Sequence, residues 1–170
     1  MFGDSYINLT DKSRWSSYLI KNGYNDILFN AFPGQNSESA LIDFNNCISH
    51  GKPKIVIWCL GMNDVDQSSS VNSSWLSVYN IVKEKCENLG ITLILSTIPN
   101  VPSRNNSYKN SIIKSSGLRY IDFYNAVGST ESGNWYDGML STDGVHPTEK
   151  GAVALFSRAV ADVPELMSKA

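Results

Sequence analysis

The chain has 170 residues, of which 42% are hydrophobic, so it is long enough for one domain with a sizeable core and too short for two ordinary domains. Its 14 basic and 16 acidic residues give a net charge of −2, which argues against a phosphate-binding surface and against nucleic acid as a partner. No run approaches the roughly 18 apolar residues of a membrane span and the start lacks a signal-peptide pattern, so we expect one soluble domain over residues 1–170 with no membrane contact.

The first half of the chain alternates strand-like and helical patterns. Only two residues precede Gly3, so the first strand is either very short or has lost residues upstream. A helix is predicted over residues 11–22, a short strand over 26–31 and a second helix over 37–49. Residues 54–60 form a nearly continuous apolar run, which is typical of a central strand covered on both faces.

The second half continues the alternation after a serine-rich loop predicted at 66–74. Its predicted elements are a helix from Trp75 that ends before Gly90, a strand over 91–98, a helix over 106–116, a strand over 119–122, an irregular segment over 123–142 and a last helix opened by Pro147. Five such alternations predict an α/β fold, a three-layer α/β/α sandwich around a five-stranded parallel sheet. In such folds the functional groups lie in loops at the carboxyl ends of the strands.

Cys47, Cys59 and Cys86 all lie in apolar-patterned segments, and their number is odd. We therefore expect buried free thiols rather than a disulfide framework. The sequence has no metal-ligand spacing, so no metal site is expected. A reducing compartment and secretion after signal removal both fit three free thiols, so the sequence leaves the localisation open, and it leaves the oligomeric state open as well.

Four polar or glycine positions follow the predicted strands at one edge of the sheet. Ser5 follows the first strand, Gly34 the second and Asn63 the third, and His146 follows the fifth, just before the last helix. The other histidine, His50, lies in a turn that leads into a strand, which places it at the opposite edge. The topology therefore assigns His146 to the candidate site.

These residue types suit acyl transfer. A serine hydroxyl needs a base to take its proton during attack, and His146 is the candidate for Ser5. Asp143, three residues before His146, can hold the imidazole in one tautomer and offset its positive charge. The oxygen that becomes negative needs donors, which the backbone N–H groups of Ser5 and Gly34 and the side-chain amide of Asn63 can supply.

The four blocks at residues 3–5, Gly34, 61–64 and 143–146 resemble the SGNH (GDSL-type) hydrolase superfamily, in the right order and from end to end of the chain. The resemblance implies a flavodoxin-like sheet, a triad of Ser5, His146 and Asp143, and an oxyanion hole of Ser5, Gly34 and Asn63. It also implies that no cofactor is required.

This chain departs from the family pattern in its short first strand and in residues 6–8, where many members carry a small hydroxyl residue and an acid. Asp4 and Asp64 are interpreted as structural residues that brace turns through backbone hydrogen bonds, because the triad already has its acid. Both lie next to residues of the candidate site.

Substrate contacts are expected from loops near Asp143. Trp135, Tyr136 and Met139 lie in the irregular segment before it, where a core role is less expected and binding residues concentrate. Asn100 and Arg104, after the fourth strand, are candidates of the same kind.

The residues and the resemblance together predict a serine esterase that acts through an acyl-enzyme. Within the family that the chain resembles, short acyl esters, and acetyl esters of carbohydrates above all, are favoured over long-chain lipids, because no extended apolar lid is visible in so short a chain. The alternatives are a lysophospholipase or thioesterase, and a binding or accessory module that keeps the fold with weak catalysis. A nucleotide-binding domain is disfavoured, because none of the strand-to-helix turns has a glycine-rich phosphate loop.

Overall fold

The centre of the molecule is a parallel sheet in the strand order β2-β1-β3-β4-β5. A computed structural model describes residues 1–8, 14–21, 27–64 and 69–167. The strands are β1 (Phe2–Gly3), β2 (Asn30–Ala31), β3 (Ile55–Cys59), β4 (Thr92–Ser96) and β5 (Arg119–Ile121). The predicted five-stranded parallel sheet is confirmed.

Two layers of helices cover the sheet. They are α1 (Trp15–Lys21), α2 (Ser37–His50), α3 (Ser69–Leu89), α4 (Ser107–Ser115), α5 (Phe123–Ala126) and α6 (Glu149–Asp162), followed by a 3-10 turn at Pro164–Met167. Helices α1 and α5 pack against α6, whereas α2 packs against α3 and α3 against α4. The three-layer α/β/α architecture is confirmed. Within the described residues, no helix combines the length and the apolar character needed to cross a lipid bilayer.

The apolar runs form the middle of the sheet. Ile55 to Trp58 on β3 lie opposite Thr92 to Leu95 on β4, and all but the first residue of each strand are buried. Because helices cover both faces, consecutive apolar side chains can all be buried. The pairing of these two strands fixes where their carboxyl ends lie, and therefore where the loops that follow them begin.

Strand β1 has two residues but occupies a central place. Phe2 lies opposite Asn30 on one side and Trp58 on the other, so the short strand is paired along both edges. The Asn30 N–H donates to the Met1 carbonyl at 2.8 Å. The Phe2 ring packs against Phe44 and Trp58, with centroids 5.6 and 5.7 Å apart. Pairing and aromatic packing together hold β1 in spite of its length.

The strand order reverses at β1, which has β2 on one side and β3 on the other. The loops after these three strands leave from the same edge, at the switch point where α/β sheets form their sites. His50, as expected, lies away from this edge, at the exposed end of α2, where its Nδ1 hydrogen-bonds to the Asn46 carbonyl at 2.8 Å.

Several predictions of local structure are wrong. The strand expected over 26–31 is regular only at Asn30–Ala31, because β1 offers it only two pairing residues; residue 26 lies outside the described part. The loop expected over 66–74 is helical from Ser69 onward, and its residues 66–68 are not described. For the helix predicted over 11–22, residues 11–13 and 22 also lie outside the description.

The C-terminal predictions need smaller corrections. The irregular segment over 123–142 contains the short helix α5. Pro147 does not open α6; Thr148 is its N-cap, and the Thr148 hydroxyl accepts the Gly151 N–H at 3.2 Å. All three cysteines are free, but Cys47 is exposed on α2 rather than buried, because its helix turns that position toward solvent.

Candidate active site

The turn after β1 presents Ser5 on a braced backbone. The N–H groups of Ile7 and Asn8 both donate to the Asp4 carbonyl at 3.1 Å. The Asp4 carboxylate accepts the Tyr6 N–H at 2.9 Å, so it braces the turn that contains the serine, in the structural role expected of it.

Asp4 is buried, with 3% of its surface exposed. Burial raises the pKa of this carboxyl to about 7, although the Tyr6 N–H pulls it down. A carboxyl with this pKa carries a proton in mildly acidic solution. It is suited to hold the turn rather than to supply a permanent negative charge.

The second half of the site is the turn before α6. The Asp143 carboxylate oxygen Oδ1 accepts hydrogen bonds from Ser141 Oγ at 2.6 Å and from the N–H groups of Val145 and His146, each at 2.8 Å. Gly144 has a φ of 71°, a conformation that glycine adopts without strain, and this lets the backbone fold over the carboxylate. The turn is a compact local unit.

A continuous chain of hydrogen bonds joins the two halves. Ser5 Oγ lies 2.9 Å from His146 Nε2, and His146 Nδ1 lies 2.7 Å from Asp143 Oδ2. An ionised carboxylate only accepts, so Nδ1 carries a proton and Nε2 of the neutral ring is left to accept from the serine. The structure therefore brings together the three residues predicted from the sequence.

Asp143 stays ionised in this arrangement. Partial burial by itself raises its pKa, but the hydrogen bonds from Ser141, His146 and Val145 outweigh that effect and bring the pKa well below the usual aspartate range. A negative carboxylate thus faces the imidazole in neutral and mildly acidic solution.

The loops after β2 and β3 contact each other at the edge of the sheet from which the serine turn also leaves. Gly34 has a φ of 75° in an exposed turn, which again suits glycine. Asn63 Nδ2 donates to the Gln35 carbonyl at 3.1 Å. The Asp64 carboxylate accepts the Ser37 N–H at 3.2 and 3.3 Å, and it also accepts the Ser37 hydroxyl. The two loops that carry the predicted oxyanion donors are therefore bonded to one another.

A family model described as GDSL-like Lipase/Acylhydrolase matches residues 1–154. The chain belongs to this family. It is a GDSL-type ester hydrolase, and the predicted enzyme class is confirmed. Among curated proteins, none is detectably similar to it.

Solved structures share the fold of this GDSL hydrolase. A Desulfitobacterium hafniense DCB-2 protein placed in the G-D-S-L family of lipolytic proteins is 18% identical, with a TM-score of 0.78 over 95% of this chain and 97% of that one. TesA is 19% identical, with a TM-score of 0.71 over 97% of each chain. Axe2, an acetylxylan esterase from Geobacillus stearothermophilus, is 16% identical, with a TM-score of 0.70 over 95% of this chain and 91% of that one. At these identities the likeness shows the fold alone.

Two supports of the GDSL hydrolase site were not predicted from sequence. The Tyr6 hydroxyl donates to the Val145 carbonyl, and its ring centroid lies 6.1 Å from that of His146. Tyr6 therefore bonds the serine turn directly to the histidine turn. The unusual residue after the serine was the available signal, but nothing local showed where its hydroxyl would reach.

Lys109 is the second support that was missed. Its buried ammonium donates to the carbonyls of Gly61 at 2.8 Å and Asp64 at 2.6 Å, and to Asn106 Oδ1 at 3.0 Å. Burial lowers its pKa to about 8, although the charge of Asp64 opposes this. It clamps both ends of the turn that carries Asn63. A lysine in a helical pattern normally lies at the surface, so the sequence held no signal for this role.

The four residues predicted to contact substrate differ in how deeply they are buried. Asn100 as a substrate-binding residue is wrong: its side chain is fully buried and donates to the Thr130 carbonyl at 3.1 Å. Trp135 is half-buried, and its Nε1 donates to the Asn100 carbonyl at 2.7 Å. Met139 is half-buried in the segment leading to Asp143, and Tyr136 is 61% exposed. For Trp135, Tyr136 and Met139, a role in binding stays a prediction.

Proposed function

We propose that this GDSL hydrolase is a serine esterase that acts through an acyl-enzyme, with Ser5 as nucleophile, His146 as general base and acid, and Asp143 as the residue that orients the imidazole. The observation that carries the proposal is the unbroken hydrogen-bond chain from Ser5 Oγ through His146 to the ionised Asp143. No cofactor takes part in these steps.

In the first half-reaction, Ser5 Oγ attacks the carbonyl carbon of the ester while His146 Nε2 takes its proton. The tetrahedral intermediate collapses, His146 gives the proton to the departing alcohol, and the acyl group remains on Ser5. A water molecule then repeats the sequence and releases the acid. Asp143 stabilises the imidazolium that forms in both halves.

The negative oxygen of each intermediate needs preorganised donors. We assign the backbone N–H groups of Ser5 and Gly34 and the Nδ2 amide of Asn63 to this oxyanion hole. The support is that the Asn63 side chain donates to the carbonyl of Gln35, next to Gly34, so a hydrogen bond holds the loops of Asn63 and Gly34 together. Removal of the Asn63 amide is expected to lower turnover by about 10²-fold.

The substrate we favour is a short acyl ester of a carbohydrate, with acetate as the acyl group. The segment over 128–134 is polar and bonds to itself, as between Thr130 and Ser132, so it presents hydroxyl and amide groups rather than an apolar lid. Tyr136 offers an exposed ring beyond it. The shared fold with an acetylxylan esterase agrees with this choice. The partner is then a sugar ester, not nucleic acid or membrane.

A second candidate is hydrolysis of longer acyl esters. It is favoured by Phe32, which is 54% exposed only two residues before Gly34, where an acyl chain would pass the proposed oxyanion hole. Burying that ring against an acyl chain would stabilise longer substrates through the hydrophobic effect. The two candidates differ in how the rate depends on chain length.

The test compares p-nitrophenyl acetate, p-nitrophenyl octanoate and acetylated xylo-oligosaccharides as substrates of the wild type, Ser5→Ala and the surface control Ser49→Ala. We expect Ser5→Ala to lower kcat by about 10⁴-fold or more, with Ser49→Ala unchanged. Equal rates for wild type and Ser5→Ala would sink the proposal, and hydrolysis by the wild type no faster than the background rate would favour a binding module. Faster cleavage of octanoate than of acetate would favour the second candidate.

A further inference from the structure

Arg104 lies on a rigid turn beside the proposed oxyanion hole. The turn follows β4, and its two ends exchange backbone hydrogen bonds, with Val101 N–H to the Arg104 carbonyl at 3.0 Å and Arg104 N–H to the Val101 carbonyl at 2.9 Å. Asn100, just before the turn, is fully buried, and its Oδ1 accepts the Asn106 N–H at 2.6 Å. Gly133 packs so closely that a Cβ there would lie 2.2 Å from the Val101 carbonyl carbon.

The guanidinium of Arg104 reaches from this turn across to the loop after β3. Its Nη1 donates to the Met62 carbonyl and to Asn63 Oδ1, each at 3.1 Å. On the other side of the same amide, Nδ2 donates to the Gln35 carbonyl at 3.1 Å. A guanidinium can only donate and a carbonyl can only accept, so both partners fix the same orientation of the Asn63 amide.

This orientation matters for the reaction proposed above. An amide nitrogen has two hydrogens; the Gln35 carbonyl takes one, and the other is available to an oxyanion. If the amide turned over, Oδ1 would replace Nδ2 and would repel the negative oxygen instead of donating to it. A cation on Oδ1 opposes that rotation, and it also draws electron density from the amide, which strengthens its remaining N–H as a donor.

We propose that Arg104 is a positioning residue of the oxyanion hole: through its hydrogen bond to Asn63 Oδ1 it holds and polarises the amide that receives the negative oxygen. The inference rests on the proposed esterase function and deepens it. On this proposal, the effect of Arg104 on turnover depends on Asn63. An arginine that bound substrate directly, or one that only stabilised the loop, would affect activity whether or not Asn63 were present.

The test is a double-mutant cycle on p-nitrophenyl acetate with Arg104→Ala, Asn63→Ala and both together. We expect Arg104→Ala alone to lower kcat by about 10-fold with KM within about 2-fold, a smaller loss than the roughly 10²-fold of removing the donor itself. In the Asn63→Ala background the same change should alter kcat by less than about 2-fold, because the group it acts through is gone.

A charged transition-state mimic gives an independent measurement. An alkyl boronic acid forms a negatively charged tetrahedral adduct with the serine, so its inhibition constant should rise by about 10-fold in Arg104→Ala and not in the control Arg119→Ala. Arg119 begins β5 at the opposite edge of the sheet, and its side chain is 45% exposed beside Glu165. The control removes the same charge without touching the site.

Arg104→Lys keeps a cation but can reach only one of the two acceptors at a time, so we expect a kcat between those of wild type and Arg104→Ala. If Arg104→Ala melts below the assay temperature, the cycle is run with Arg104→Lys. Full additivity in the cycle, or a raised KM with unchanged kcat, overturns the role of Arg104.

The outcomes separate this inference from the proposed function. If Ser5→Ala keeps the wild-type rate, the esterase mechanism fails and the inference fails with it. If Ser5→Ala and Asn63→Ala both lose activity while Arg104→Ala does not, only the inference fails.

Discussion

The turn that carries Ser5 lies inside the fold, whereas the turn that carries Asp143 and His146 lies at its surface. Asp4 and Tyr6, on either side of the serine, are 3% and 6% exposed. The side chains of His146 and Asp143 are 31% and 50% exposed. Core packing therefore sets the position of Ser5, and local hydrogen bonds set those of Asp143 and His146. Substitutions in the two turns should have different signatures in activity and stability.

The largest effect is expected from Asp143→Asn. The amide oxygen of the new side chain can still accept the backbone N–H groups of the turn, but its NH₂ would face His146 Nδ1 and favour the tautomer that cannot take the serine proton. We expect kcat to fall by about 10³- to 10⁴-fold while the melting temperature changes little. The matched control is Asp137→Asn, on an exposed position of the same segment. An unchanged kcat would remove Asp143 from the proposed triad.

Gly3→Ala tests the buried turn. A Cβ at residue 3 would lie 2.3 Å from Ile7 Cδ1, and Ile7 is fully buried, so its side chain has little room to yield. We expect a loss of about 1–3 kcal/mol in the free energy of unfolding, measured by urea denaturation, together with lower activity. Gly51→Ala, which meets no atom within 4 Å, is the control. Wild-type stability in Gly3→Ala would show that packing does not set this turn.

Tyr6→Phe tests the hydrogen bond that joins the two turns. The ring stays in place, but the donor to the Val145 carbonyl is lost. One such bond contributes about 0.5–1.5 kcal/mol, so we expect kcat to fall by up to about 10-fold with KM unchanged. Tyr108→Phe, at an exposed tyrosine, is the control. Equal kcat values in Tyr6→Phe and wild type would mean that each turn holds its own geometry.

The smallest effect is expected from Asp4→Asn, and it appears in the pH dependence of stability. The folded-state pKa of Asp4 is about 7, above the unfolded value of about 3.9, so the folded state binds the extra proton between these values. The stability from this group is therefore complete at low pH and is lost as the pH rises through 7. The melting temperature of the wild type should therefore fall between pH 5 and 8, and Asp4→Asn should reduce this fall by a few degrees. The same slope in both proteins would contradict the raised pKa.

Most of the fold was predictable because the parallel sheet leaves a direct trace in the sequence. The central strands β3 and β4 are buried on both faces and therefore read as apolar runs. The length of β2 was overestimated, because apolar composition does not reveal how many residues of the neighbouring strand are available for pairing. Leu28 is 87% exposed although it lies in the predicted strand, since β1 pairs only with Asn30 and Ala31. The first turns of α3 read as a loop because serine is a weak helix former.

The hydrogen-bonded chain of the site was predictable because Ser5, Asp143 and His146 each follow a strand or precede a helix at one sheet edge. Its supports were not, because they act across the fold. Lys109 looks like a surface residue until the loop after β3 covers it. Asn100 was misread for the opposite reason: a polar residue after a strand suggested a binding group, but its amide is used internally to fix a turn.

The hydrogen bonds of the site also span very different lengths of chain. Asp143 and His146 are 3 residues apart, whereas Ser5 and His146 are 141 apart. Short-range contacts close quickly during folding, while a long loop closes only when the elements between have assembled. Asp143 and His146 can therefore pair early, and Ser5 joins them when β1 takes its place between β2 and β3. Recovery of activity during refolding then reports the completion of the sheet.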